Sequence, residues 1–295
     1  MWLLSLVITY IILNSPLLVE PRPLEHISLN DLPLFTLNGS IPYVEFYIDD
    51  TENGEKTHYK YSDDSIDRMV SYASKKLALF KSRILEKKLN FSLLDKKDIV
   101  YASAALYSDR FYDKKIAILG SSEPWCECIA ISLGAKEIVT IDYNYLSYGD
   151  KNNSKYNVIK TVSSEYFDEF YRNSTNYFDI ILSISSFDHS GLGRYGDPLD
   201  PDGDIKAIKS IHSILKPDGL LILTVPIGSD LLVFNLLRRY GAIRLPLLLD
   251  GWDVIDRLGW QSKKLNEDTN FRKSYEPVFI LQKSRSFTKS DDELR

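Results

Sequence analysis

At 295 residues and 33.9 kDa the chain is long enough for one large domain or two small ones. Its 44% hydrophobic and 26% charged residues are ordinary for a soluble globular protein. A net charge of −5 with no basic tract argues against nonspecific nucleic-acid binding, and no nucleic-acid partner is expected.

The chain opens on an apolar run. Trp2 to Leu13 carries no charge over 12 residues, Asn14-Ser15-Pro16 breaks it, and the first charged side chain is Glu20. A run this short suits the core of a signal peptide; counted to Val19 it reaches 18 residues, enough for a short anchor. Residues 1–19 are therefore expected to be a signal peptide or a short membrane anchor. That would route the protein to the secretory pathway, in the ER or Golgi lumen, tethered through residues 2–19 or secreted. Four Asn-x-Ser/Thr sequons, at Asn38, Asn90, Asn152 and Asn173, agree with that route. Asp292-Glu-Leu294 has the look of an ER-retrieval signal, but Arg295 follows it and such signals are terminal.

Residues 20–110 read as an N-terminal extension of hairpin and helices. Tyr43 to Ile48 and Thr57 to Tyr61 alternate like strands about Asn53-Gly54, which predicts a hairpin. Ile66, Met69, Val70, Ala73, Leu77, Phe80 and Ile84 form one helical stripe, with Asp64 or Ser65 as its cap. A second helix is expected from Asp95 through Leu106.

Residues 111–283 carry the main domain. Ile116 to Leu119 suits a buried parallel strand, and Gly120-Ser121-Ser122 a turn whose backbone lies close to a ligand. Pro124 fits a first helical turn, Gly134 a helix stop, and Ile138 to Ile141 the next strand. Asp142 ends that strand, 22 residues after Gly120, where a nucleoside-binding βαβ unit holds ribose hydroxyls. Phe178 to Ile184 is another buried strand. A helix is expected from Asp204 to Leu215, a turn at Lys216 to Gly219, and a fifth strand from Leu220 to Val225. Asp230 to Tyr240 reads as helical and Pro277 to Gln282 as a last strand. Residues 284–295 form a polar tail. Cys126 and Cys128 lie two apart on a predicted helix and point to different faces, so neither a disulfide nor a metal site follows.

The order FDIILS, His, helix, LKPDGLLILTVP resembles the second half of class I methyltransferases that use S-adenosylmethionine. More closely, GSSEPW, SSFDHSGLGRYGDPLDPDGD and LKPDGLLILTVPIG resemble a nematode-centred family, domain-of-unknown-function family 268, over about Lys115 to Lys283. The methyltransferase resemblance implies an α/β, Rossmann-like three-layer sandwich with a mostly parallel sheet. It places Gly120, Ser121 and Ser122 against the methionine part of S-adenosylmethionine, Asp142 against the ribose, and residues near Ser164 and Glu165 against the adenine. The chain departs from the pattern at Ile118, where the family carries an acid, and in lacking the second and third glycines. The implied activity is methyl transfer; the secretory route points to a glycan, lipid or other small lumenal acceptor. The alternatives are a non-catalytic binding or scaffold protein on the same fold and an NAD-dependent oxidoreductase.

The segment Asp188 to Asp204 should lie beyond the carboxyl ends of the strands, where ligands of such sheets bind. His189 has the type and place of a general base, with Asp188 and Asp197 as second candidates; the plainer reading is that His189 only hydrogen-bonds the loop. Asp200 and Asp202 suit turns, and Asp204 a helix cap. The aspartate spacing is not that of an EF-hand, and no metal is assigned. His212 is expected to be structural, and Trp125 either shelters the cofactor or packs.

Overall fold

The computed structural model describes residues 24–51, 56–149, 156, 158–163 and 175–284. The apolar segment 1–19, Asn53-Gly54, the sequons at Asn152 and Asn173, Ser164, Glu165 and the tail beyond Ser284 lie outside the described residues. No helix among the described residues is long and apolar enough to cross a membrane.

The centre is a seven-stranded sheet. In chain order its strands are β3 (Lys115–Leu119), β4 (Glu137–Asp142), β6 (Ile159–Ser163), β7 (Phe178–Ile184), β8 (Leu215–Thr224), β11 (Trp252–Leu258) and β12 (Val278–Lys283). Their spatial order is β11-β12-β8-β7-β3-β4-β6. The five from β6 to β8 are parallel, and β12 runs antiparallel to both β8 and β11. The chain starts at β3, works outward through β4 and β6, then returns to lay β7 on the other side of β3. That reversal makes a topological switch point between β3 and β7, and a crevice at their carboxyl ends.

Period-two alternation sorts the strand residues onto two faces. Ile116, Ile118, Ile180 and Leu182 face one core, and Ala117, Leu119, Ile181 and Leu221 the other. The first face is covered by α2 (Asp63–Leu85), α3 (Lys96–Leu106) and α4 (Trp125–Ser132); α1 (Leu32–Phe35) lies apart in a smaller cluster. The second face is covered by α5 (Gly203–Ile214) and α6 (Arg244–Leu248). This is the three-layer Rossmann-like sandwich that the methyltransferase resemblance implies. Helix α2 buries Ile66, Ala73, Leu77 and Phe80 at helical spacing, each large side chain contributing about 1.5–3 kcal/mol. Its cap is Ser62, whose hydroxyl accepts from the Ser65 amide, so the helix begins ahead of the expected Asp64 or Ser65. Asp63 and Asp64 then fall in the first turn, where the helix dipole favours them.

Three expectations of local structure are corrected. The N-terminal hairpin does not form: β1 (Tyr43–Glu45) pairs in parallel with β9 (Leu231–Phe234), and β2 (His58–Tyr61) with β5 (Tyr145–Tyr148). Both segments alternate as strands, but alternation does not name a partner. The expected helix at Asp230 to Tyr240 is instead the antiparallel pair of β9 and β10 (Leu237–Arg239), joined by a turn in which the Leu236 amide donates to Val233. Nearly every residue of this run is buried, which erases the periodicity that separates helix from strand. The Lys216 to Gly219 turn is a bulge within β8: Leu215 pairs with Phe178, and the next register pair is Leu220 with Ile180.

Candidate functional site

A cleft of about 990 Å³ opens at the carboxyl ends of β3, β4 and β7. Gly120, Ser121, Ser122, Asp142, His189 and Asp197 all line it, so the fold gathers these predicted residues from three separate segments. Asp188 lies beneath, fully buried.

The turn after β3 is shaped by close approach. Gly120 has φ +69°, and a Cβ there would stand 2.5 Å from the Ser186 hydroxyl. Only glycine accepts both the left-handed backbone and the contact. Asp142, at the tip of β4, holds the turn: Oδ2 accepts from the Ser121 amide and Oδ1 from the Asn144 amide, both at 2.7 Å. Burial raises the Asp142 pKa against the pull of those two amides. Ser121 therefore acts through Asp142 rather than offering its own amide to a ligand. The Ser122 carbonyl accepts from Tyr61. Trp125 lines the cleft and packs 5.9 Å from Tyr101.

On the β7 side, Ser185 sits at φ +51°, with its amide donating to the carbonyl and hydroxyl of Thr224. A left-handed serine at a switch point is strain of the kind found at binding sites. The following turn sets Asp188 and His189. The His189 Nδ1 lies 2.6 Å from the Leu236 carbonyl, which assigns the ring proton to Nδ1 and leaves the lone pair on Nε2. Nε2 faces Asp188 Oδ2 at 3.5 Å, beyond a good hydrogen bond. Neither Asp188 oxygen has a hydrogen-bond partner among the described residues. Burial pushes Asp188 up to about 7, and burial with the nearby Arg194 guanidinium pushes His189 down to about 4. At neutral pH the imidazole is uncharged and able to accept a proton.

The loop from His189 to Asp204 folds over this pair and is tightly held. Gly191 and Gly203 lie back to back; a Cβ on Gly203 would meet Gly191 Cα at 2.7 Å. Asp197 braces the loop, accepting from the Gly191 amide at 2.7 Å and the Tyr195 amide at 3.4 Å. Its carboxylate lines the cleft and accepts one backbone amide on each oxygen. Asp200 accepts from the Asp202 amide, as expected of a turn. Asp204 does not cap α5. It is buried in an ion cluster, accepting from Arg244 at 2.5 and 2.9 Å and from the Tyr240 hydroxyl at 2.9 Å. His212 packs edge-on against Trp252, a structural role. No group of three or more His, Cys, Asp or Glu among the described residues is placed to hold a metal.

Several site residues escape sequence reasoning. Asp50 and Tyr59 reach the cleft from the N-terminal segment. Asp50 Oδ2 accepts from Arg194 Nε at 2.6 Å. Lys96 reaches in from the start of α3, paired with the buried Glu276 at 2.9 Å. Arg238, almost fully buried, clamps the loop through the carbonyls of Ser190, Asp200 and Pro201. Its signal was legible: Arg238-Arg239 interrupts an apolar run, and a buried arginine must find acceptors.

Among solved structures the chain is similar to 1,6-didemethyltoxoflavin-N1-methyltransferase of Burkholderia thailandensis, solved with 1,6-didemethyltoxoflavin and S-adenosylhomocysteine bound. The identity is 16% over 62% of this chain and 76% of that one, with a TM-score of 0.43. It is also similar to an S-adenosylmethionine dependent methyltransferase of Mesorhizobium loti, at 9% identity over 62% of this chain and 98% of that one, TM-score 0.39. Likeness at this level carries no argument about ligand or reaction. No curated protein matches the sequence. The family model described as "Caenorhabditis protein of unknown function, DUF268" matches residues 113–285, more than half of the chain, and the protein belongs to that family.

Proposed function

We propose that this protein is an S-adenosylmethionine-dependent methyltransferase acting on a glycan or other small acceptor in the secretory pathway. The observation that carries the reading is the meeting, in one switch-point cleft, of the Gly120 turn, the strand-tip Asp142 and the neutral imidazole of His189. The antiparallel β12 supports it against an NAD-dependent oxidoreductase. A dinucleotide sheet completes a second parallel half after its fifth strand, whereas here an antiparallel strand takes the place beside β8.

The residues fit the cofactor. A carboxylate offers about four lone-pair positions, and Asp142 gives two to backbone amides, leaving two for ribose hydroxyls. Gly120 and Ser122 border the place for the methionine part, and Ser121 orients Asp142. The cleft lies at the upper end of the usual range for ligand pockets, about 300–1,000 Å³, with space for a small acceptor as well. The cofactor supplies an electrophilic methyl on a sulfonium; the protein aligns an acceptor oxygen or nitrogen and removes its proton. His189 Nε2 is the base, its ring fixed through Nδ1 by the Leu236 carbonyl, with Asp188 3.5 Å from the same nitrogen. Asp197 holds the loop over the pair.

The secretory assignment rests on the apolar residues 2–13 and the sequons; Asn38 and Asn90 are exposed, as glycan acceptors must be. Calorimetry with S-adenosylhomocysteine tests the cofactor. Binding to wild type is expected, weakened at least about tenfold in Asp142→Ala, the scale of a lost charge-assisted bond. No binding at millimolar ligand would leave a non-catalytic binding protein on this fold. A mobility shift on glycosidase treatment tests the route.

A further inference from the structure

Arg194 is built into the cleft with part of its guanidinium unused. Nε donates to Asp50 Oδ2 at 2.6 Å, and Nη1 lies 3.4 Å from the Leu236 carbonyl. Nη2 meets no protein acceptor among the described residues. The side chain is only 16% exposed, so its position is set by packing and not by solvent. Its guanidinium carbon lies 5.1 Å from the centre of the Tyr195 ring. It is also next to the His189 ring, with Nη1 3.5 Å from Nδ1.

The unclaimed edge borders the cleft, and a donor that loses water to an entering ligand without gaining an acceptor is costly. The planar fork matches the two oxygens of a carboxylate or phosphate. Lys96 also lines the cleft; its ammonium has three donors and pairs with Glu276. An ammonium-bearing acceptor would meet repulsion from both cations. Of the acids that line the cleft, Asp50 pairs with Arg194 itself, Glu123 with Lys97 and Asp200 with Lys206, Asp197 accepts from loop amides, and Asp142 keeps its remaining positions for the ribose.

From this geometry we infer that the unused edge of Arg194 holds an anionic oxygen group of the acceptor, a carboxylate or a phosphate, beside His189. The inference rests on the methyltransferase reading for the word acceptor, and on Arg194 itself for the anion. Asp50, brought in from the N-terminal segment, is then a positioning residue: it fixes the plane of the guanidinium and tempers its charge.

The test is binding of three small probes to the full chain saturated with S-adenosylhomocysteine, followed by NMR or calorimetry. Benzoate and phenyl phosphate carry the two anions, and benzamide is the neutral counterpart of benzoate. At least one anion should bind about tenfold or more tighter than benzamide, the scale of one charge-assisted pair. The tighter of the two identifies carboxylate or phosphate. Arg194→Gln should abolish the preference while changing affinity for S-adenosylhomocysteine less than about threefold. Asp50→Asn removes the counter-charge and keeps the arginine, so it should strengthen anion binding; this variant decides the matter if Arg194→Gln does not fold. Equal binding of benzamide, a preference that survives Arg194→Gln, or anion binding weakened by Asp50→Asn would overturn the inference. So would a tenfold loss of S-adenosylhomocysteine affinity in Arg194→Gln, since the free edge would then serve the cofactor's own carboxylate. If S-adenosylhomocysteine does not bind and the probes, added without it, still show the preference, the methyltransferase reading falls and the anion site stands.

Discussion

Replacing either member of the Asp188–His189 pair should change how stability depends on pH, in opposite directions. Asp188 has a folded pKa of about 7, raised by burial, against about 3.9 unfolded. Its stabilising contribution is complete below the unfolded value and is lost as pH rises through the folded one. His189 has a folded pKa of about 4, lowered by burial, against about 6.5 unfolded. Its contribution is complete above the unfolded value and is lost as pH falls through the folded one. At about 1.4 kcal/mol per pH unit, the Asp188 window is worth ~4 kcal/mol and the His189 window ~3 kcal/mol. In wild type the two nearly cancel between about pH 4 and pH 6.5, because the folded and unfolded pairs each hold one proton there. Asp188→Asn is isosteric and can donate to His189 Nε2; His189→Asn can keep the bond to Leu236 made by Nδ1. Urea unfolding at half-unit steps from pH 4.5 to 8 gives each variant's stability minus that of wild type, and groups common to both drop out. Over this range the difference for Asp188→Asn should rise toward neutral pH by ~3 kcal/mol, and that for His189→Asn should fall by ~2.5 kcal/mol. Two flat differences, or two slopes of the same sign, would refute the assignment of a protonated, buried Asp188 beside a neutral His189.

Gly120→Ala adds a Cβ 2.5 Å from the Ser186 hydroxyl at a left-handed position, and should cost roughly 2–3 kcal/mol by thermal melting. Adding Ser186→Gly relieves the clash but not the backbone term, so it should recover about half; no recovery would place the strain elsewhere. Asp204→Ala leaves the guanidiniums of Arg238 and Arg244 buried without their carboxylate, at 3.7 and 2.5 Å in the native protein, and should destabilise by about 3–5 kcal/mol. A loss under 1 kcal/mol would mean that water reaches the cluster. His189→Ala should retain S-adenosylhomocysteine affinity by calorimetry while turnover, once an acceptor is known, falls by about 10²-fold or more; parallel loss of both would make His189 a structural residue.

The strands at the centre were legible from their length and flanks. Runs such as Ile116 to Leu119 and Phe178 to Ile184 are short, apolar and bounded by turn residues, which favours strand over helix, and their short turns fix the βαβ path. Asp142 was legible from its distance to Gly120, and the capped helix at Asp95 from local chemistry alone. Those signals are local, and local interactions are written in neighbouring residues. What the sequence left open is pairing between distant segments. The strand at Tyr43 takes β9, pairing Tyr43 with Leu232, and the one at His58 takes β5, because backbone ladders carry no label that names their partner. The same holds for charge. Asp204 looks like a cap until Arg244 is brought to it across the α5–α6 contact, and Asp197 looks like a base until the loop's own amides claim it. Sequence determined which residues end beside the cleft on β3, β4 and β7. Only the tertiary structure decided which of their polar atoms remain unclaimed there, since a side chain's availability depends on every neighbour that reaches it first.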